Sequence, residues 1–304
     1  MGLTLEQAIA RVPFLANARD RTTTPLTGGI TNLNYRIDAD GRSYVLRITG
    51  ADSELLGIDR DVEYQANLAA GKLGIAPEVV YFIQPEGYLV TRFIPGRPIP
   101  PEEMARPQNL KRVAVKVHRF HAEAPTLKAE FNAFAAVESL TEASRRHNCR
   151  FPEDFGWLME RVHGIEATLG RRADVLRPCH NDLLNGNFLE EAGEIRILDW
   201  EYAGMGDVFF DLANFSSHHR LNEDQVRVLL EAYFGRVTPR DFAHLKMMWA
   251  MSELREALWG VTQTGISTLN EDFQGYADLW FGRARDALRD PHWDEWRKDL
   301  SRHG

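Results

Sequence analysis

Between Pro178 and Asn214 the chain sets carboxylate and amide side chains among apolar residues at fixed intervals. The stretch reads Cys179-His180-Asn181-Asp182-Leu183-Leu184-Asn185-Gly186-Asn187-Phe188-Leu189, and then Ile195-Arg196-Ile197-Leu198-Asp199-Trp200-Glu201-Tyr202. Asn187 falls five residues after Asp182, and Asp199 stands at the end of the next apolar run. Short apolar runs of this kind are strands that bury themselves. Burying carboxylates without partners costs several kcal/mol, so a bound cation is the economical explanation. A carboxylate with an amide oxygen is a hard donor set that suits Mg²⁺.

The preceding residues divide in two. Leu5, Ile9, Val12 and Ala16 form one stripe, which predicts a helix from Leu5 to Asn17. Gly28 and Gly29 sit between β-prone segments, followed by Asn32 and Asn34. Paired glycines let a backbone turn tightly over a ligand, although a plain hairpin turn needs the same residues. Ser43 to Ile48 reads as a strand with one charge, Arg47, in an apolar run. Asp59 to Leu73 is helical, with Val62, Ala66, Ala69 and Leu73 on one stripe and Glu63 beside it. Two further strands, Glu78 to Ile83 and Tyr88 to Ile94, lead into Pro95-Gly96-Arg97-Pro98-Ile99-Pro100-Pro101. Four prolines in seven residues end regular structure, so a lobe boundary is expected there, with residues 1–95 on one side and 96–304 on the other.

Beyond the prolines the periodicity is helical: Asn109 to His121, Phe131 to Arg146, Pro152 to Arg172, and a block from Asn222 to about Leu288. Pro178 to Asn214 itself is expected to be short strands and turns. His118 and His121 lie three apart on a helix, but no HExxH pattern makes them zinc ligands. A metal-dependent hydrolase built on His118, His121 and His180 leaves Arg47 and the paired glycines unexplained.

Several classes are set aside. No Lys/Arg-rich run occurs in a chain of net charge −8, which argues against nucleic-acid binding. No apolar run approaches the ~18 residues a bilayer requires. The first residues lack the basic and apolar regions of a signal peptide, and the two cysteines, Cys149 and Cys179, suit a reducing compartment. The expected location is the cytoplasm. No GxxxxGK[ST] segment occurs, which excludes a P-loop nucleotide site.

A base Asp, an amide ligand five residues on and a second Asp after the next strand is the spacing of phosphoryl transfer. Asp182 suits the proton acceptor for an alcohol, and Asn187 and Asp199 suit Mg²⁺. The chain resembles the choline/ethanolamine kinase family within the aminoglycoside phosphotransferase superfamily. The residues that carry the likeness are His180-Asn181-Asp182-Leu183 with Asn187, Leu198-Asp199-Trp200-Glu201-Tyr202-Ala203-Gly204, Asp207, and Phe210-Asp211-Leu212-Ala213-Asn214. Upstream, Thr27-Gly28-Gly29-Ile30-Thr31-Asn32-Leu33-Asn34-Tyr35 and Val45-Leu46-Arg47-Ile48 resemble the choline kinase branch.

The resemblance implies an α+β, protein-kinase-like fold of two lobes, a small antiparallel-sheet lobe and a larger helical one. It implies ATP and Mg²⁺ in the cleft between them. Gly28, Gly29, Asn32 and Asn34 would cover the phosphates, Arg47 paired with Glu63 would order them, and Arg92, Phe93 and Ile94 would form the hinge to adenine. The acceptor would be a small alcohol held by Glu201, Tyr202, Glu256 and Trp259, with choline the first expectation and ethanolamine the second. Glu256 stands where the family's C-terminal helix carries its first tryptophan. An aminoglycoside, methylthioribose or another sugar is the alternative acceptor, and a nucleotide-binding regulator without catalysis is the alternative class. A homodimer is compatible with the sequence.

Overall fold

A computed structural model of the chain describes residues 2–26, 32–50, 56–170 and 173–301. Gly28 and Gly29 lie outside the described residues.

Two short helices, α1 (Leu5–Ala10) and α2 (Pro13–Ala16), replace the single helix expected over Leu5 to Asn17. Pro13 has no N–H to give to the preceding turn and its ring crowds that turn, so one helix ends before it and the next begins on it. There follow β1 (Arg21–Leu26), β2 (Asn32–Ala39), β3 (Arg42–Thr49), α3 (Arg60–Lys72), β4 (Val79–Ile83) and β5 (Tyr88–Arg92). The five strands form one antiparallel sheet in the order β1-β2-β3-β5-β4. Alternation along β3 sends Leu46 into a core shared with Ile9, Leu15, Ile37 and Val90, and turns Arg47 to the opposite face. Asp59 caps α3 by accepting from Asp61 N and Val62 N at 2.9 and 3.1 Å. The apolar stripe of α3, Val62, Ala66 and Ala70, joins a second and larger core with Ile75.

The remainder is helical with small sheets inserted. In order come β6 (Arg97–Pro98), α4 (Pro101–Met104), α5 (Pro107–Glu123), α6 (Ala133–Arg146) and α7 (Phe155–Leu169). Next are β7 (Leu176–Cys179), β8 (Phe188–Glu191), β9 (Glu194–Ile197) and β10 (Gly204–Asp207). The chain closes with α8 (Val208–His218), α9 (Glu223–Phe234), α10 (Pro239–Ile266), α11 (Phe273–Leu288) and α12 (Trp293–Ser301). β7 pairs with β10, and β6, β8 and β9 form a three-stranded antiparallel sheet. This is the α+β arrangement expected from the sequence, a small antiparallel sheet with one main helix followed by a larger helical part.

Two further boundaries differ from expectation. Val208–His218 is a helix rather than part of a strand-and-turn segment. Every residue from Val208 to Ser217 is buried, so no polar face marks the helical period, and only the cap shows, Asp207 accepting from Phe209 N at 2.8 Å. The helical block also runs past Leu288, because Trp293, Trp296 and Leu300 give α12 an apolar face of its own.

The 28-residue α10 packs against α6, α8 and α11 and is buried on nearly all sides. Ser252, Glu253, Arg255 and Glu256 are therefore taken out of water together with its apolar residues, and each needs a partner there.

Candidate active site

The loop between β7 and β8 carries Asp182. Its shape is set from below by Asp211 on α8, whose carboxylate accepts from His180 N at 2.8 Å, Asn181 N at 2.5 Å and His121 Nε2 at 2.9 Å. Tyr233 contacts the other nitrogen of His121 at 2.6 Å. Burial works against the charged form of Asp211, but the bonds from His121 and the loop N–H groups outweigh it, and the carboxyl is held below its ordinary range. Cys179 lies close to His121 and Asp211, yet both ring nitrogens of His121 are already engaged within the protein. The group is a hydrogen-bonded support.

With Asp211 holding two successive N–H groups, Asn181 adopts a left-handed conformation with φ 65°. Its amide nitrogen donates to Tyr202 O at 3.0 Å. Gly206 leaves room for that amide, since a Cβ there would lie 2.8 Å from Asn181 Oδ1. His180 Nε2 donates to Leu198 O at 2.8 Å and its Nδ1 accepts from Asp182 N at 3.2 Å. Burial lowers its pKa, so the ring is neutral and ties the two loops together.

Asp182 is buried, with Oδ1 accepting from Arg255 Nη1 at 2.9 Å. Among the described residues Oδ2 has no protein partner. Burial raises its pKa, Arg255 opposes the rise and Glu256 adds to it. Asn187 donates from Nδ2 to Asp182 O at 2.9 Å, a bond that does not engage its amide oxygen. Asp199, at φ 60°, follows β9 on the adjoining loop. Burial and the nearby charge of Glu201 push its carboxyl up to about 7 against the pull of Arg47. A carboxylate raised in this way gains most from a cation. With 34% of its side chain exposed, and an amide oxygen from Asn187 on the adjoining loop, the donor set fits a hard divalent ion.

From the sheet, Arg47 pairs with Glu63 on α3 and donates from Nη1 to Asp199 Oδ1 at 2.6 Å. Arg60 Nη1 joins Glu63 at 2.7 Å and Glu201 at 3.2 Å, and Asn32 Nδ2 donates to Glu201 Oε2 at 3.0 Å. A continuous charge network thus runs from β2 and α3 to the loop bearing Asp199. Asn34 pairs with Arg47 in the β2–β3 register, one pleat repeat from Asn32 on the same face. The three expected hinge residues are half-buried at the end of the sheet. Arg92 Nε donates to Glu78 at 3.2 Å, Phe93 N donates to Ser43 O at 3.0 Å under the Arg36 guanidinium, and Ile94 lies just past the strand.

Four residues were expected around an acceptor. Glu201, Tyr202 and Trp259 line one cleft of about 510 Å³, and Arg255, which lines it too, binds Asp182. Trp259 leans edge-on to Phe273 and Tyr276. Glu256 stands behind this wall: it accepts from Arg255 Nη1 at 2.7 Å and from Tyr276 OH at 2.6 Å, with His218 3.7 Å away. Although burial opposes it, Arg255 and His218 pull its carboxyl down to about 2.

Sequence reasoning did not single out Arg255, Arg60 or the supporting role of Asp211. Arg255 had a signal in Glu253-Leu254-Arg255-Glu256, three charges in the middle of a long helix whose flanking residues there are largely apolar. Arg60 had one in its i,i+3 spacing from Glu63.

Residues 23–225 match the model of the family described as choline/ethanolamine kinase. A choline/ethanolamine kinase family protein from Mesorhizobium loti has a crystal structure that superposes with a TM-score of 0.82, at 29% identity over 96% of each chain. Ethanolamine kinase 2 of Rattus norvegicus is 28% identical over 84% of this chain and 73% of its own. Protein LicA of Haemophilus influenzae is 26% identical over 82% of this chain and 75% of its own.

Proposed function

The chain belongs to the choline/ethanolamine kinase family, and from that membership we propose that it transfers the γ-phosphoryl group of Mg·ATP to the hydroxyl of a small amino alcohol, choline or ethanolamine. Family membership makes it an ATP-dependent small-molecule kinase. The observation that carries the finer reading is the placement of Asp182. Its carboxylate is bound by Arg255, which lines a cleft with Glu201, Tyr202 and Trp259, and its loop is tied to the segments bearing Asn187 and Asp199.

In this reading Asp182 Oδ2 accepts a hydrogen bond from the acceptor hydroxyl and takes its proton as oxygen bonds to phosphorus and ADP leaves. Asn187 and Asp199 hold Mg²⁺, which supplies positive charge to the phosphates. Arg47, held by Glu63, orients the nucleotide, and the segment Arg92 to Ile94 borders adenine. Asn32, through Glu201, couples the phosphate-facing strand to the acceptor side. The two lobes would then be residues 1–95 and 96–304, and the enzyme would act in the cytoplasm, where ATP is available. Among the described residues no helix is long and apolar enough to cross a membrane.

The test is ATP consumption by the purified protein with choline, ethanolamine, aminoglycosides and simple sugars. Choline or ethanolamine should be phosphorylated with kcat/KM well above the sugars. Turnover of sugars or aminoglycosides alone would overturn the amino alcohol assignment.

A further inference from the structure

The acceptor cleft holds a cation of its own. Arg255 is 3% exposed, and its guanidinium carbon lies 4.3 Å from the centre of the Tyr202 ring. Burial disfavours its charge, but Glu256 and Asp182 outweigh burial and keep it protonated. Nη1 serves both carboxylates, at 2.9 Å to Asp182 and 2.7 Å to Glu256, whereas Nη2 has no partner. The hydroxyl of Tyr202 has none either. Two buried polar atoms without partners therefore belong to residues that line the cleft, and Arg255 links that lining to Asp182.

A quaternary ammonium fits this floor poorly. It binds through the faces of aromatic rings, and the protein's own guanidinium covers a face of Tyr202. A trimethylammonium group also has no N–H and no lone pair. It would leave Arg255 Nη2 and Tyr202 OH unpaired, and sites built to hydrogen-bond reject ligands that lack the matching group. The cleft, at about 510 Å³, has room for more than one two-carbon alcohol. Its outer part carries the exposed carboxylates of Glu138 and Glu166, which suit an ammonium that still has N–H bonds to donate.

We propose that Arg255 is a specificity-determining residue, and that the preferred acceptor is a primary amino alcohol with a second oxygen next to the hydroxyl phosphorylated. Arg255 Nη2 donates to that second oxygen, the reacting hydroxyl faces Asp182, and the ammonium points to the acidic outer wall. The inference rests on the kinase reading above and narrows its acceptor class.

The experiment compares kcat/KM for 3-amino-1,2-propanediol, ethanolamine and choline under saturating Mg·ATP, in the wild type and in Arg255→Gln and Arg255→Lys. In the wild type the aminodiol should exceed choline by about tenfold or more, the scale set by one unpaired buried donor. In Arg255→Gln that ratio should fall toward one, mainly through KM for the aminodiol, while KM for ATP stays put. Arg255→Lys should fall between. Damage to Asp182 positioning would lower all three acceptors together and leave the ratio unchanged, so an unchanged ratio overturns the role of Arg255. If Arg255→Gln fails to fold, the wild-type ratio and Arg255→Lys decide. Choline equal to or better than the aminodiol in the wild type overturns the inference and leaves the kinase reading standing. No turnover of any of the three overturns both.

Discussion

Arg47 and Asp199 are 152 residues apart in the chain, and Arg47 Nη1 donates to Asp199 Oδ1 at 2.6 Å. The pair joins the antiparallel sheet to the loop after β9 and satisfies a carboxylate whose environment otherwise disfavours charge. In Asp199→Ala the increase in ATP affinity that Mg²⁺ brings should vanish. Nucleotide titrations with and without Mg²⁺ would then give the same Kd, and a retained Mg²⁺ effect would remove Asp199 from the metal site.

Asp182→Asn keeps the size of the side chain and leaves Arg255 its bond to Glu256. Turnover should fall by about 10²–10⁴-fold, the usual contribution of a positioned base. ATP affinity should stay within about twofold. Steady-state kinetics with an ATP titration checks both, and near-normal kcat would remove the base assignment.

Asp211 accepts three hydrogen bonds in a site with no exposure. An amide offers one oxygen and puts its NH₂ where an acceptor is needed. Asp211→Asn should cost roughly 2–4 kcal/mol in urea unfolding, since each bond to a buried charge contributes about 1.5–3 kcal/mol. It should lower kcat more than it changes either KM, because Asp211 positions the loop bearing Asp182 and touches no substrate.

Glu256 has its carboxyl pulled down to about 2 in the folded chain. A lowered folded-state pKa stabilises fully above the unfolded value and is lost as pH falls toward the folded one. Between pH about 4.5 and 2 the wild type should therefore shed stability on the order of 3 kcal/mol at this site. Glu256→Gln should be less stable than wild type at pH 7, and the gap should narrow as pH falls through that window. A gap that stays constant down to the lowest pH at which both fold would show that Glu256 is not so held.

Trp259 lines the cleft with Arg255 and Tyr202 and lies edge-on to Phe273 and Tyr276. Trp259→Ala should raise KM for the amino alcohol by about tenfold, in line with the contact area an aromatic wall supplies, and leave KM for ATP unchanged. Equal effects on both substrates would mark Trp259 as packing.

Much of the candidate site's geometry was readable because it is local. Asp182 and Asn187 share one loop, and Asn187 closes it by donating to Asp182 O at 2.9 Å, so their spacing is itself the geometry. Arg47 was visible as a lone charge in a strand, and Glu63 as a charge beside a helical stripe. The helix α8 was not readable, because a helix buried on every side shows no period. Glu256 was placed on the right helix and in the wrong relation to the cleft: 3.6-residue periodicity groups side chains on a stripe, and the neighbouring helices decide which of them reach the surface.

The sequence by itself determined the sheet-then-helices order, the spacing of Asp182, Asn187 and Asp199, and the family. Only the tertiary structure decided that Arg255 binds the carboxylate of Asp182 across 73 residues, that Asp211 holds the loop from beneath, and that Glu256 sits behind the wall. The physical reason is the same in each case. Backbone spacing fixes which residues are close along the chain, whereas a buried charge pairs with whichever opposite charge the packing of distant helices brings within reach.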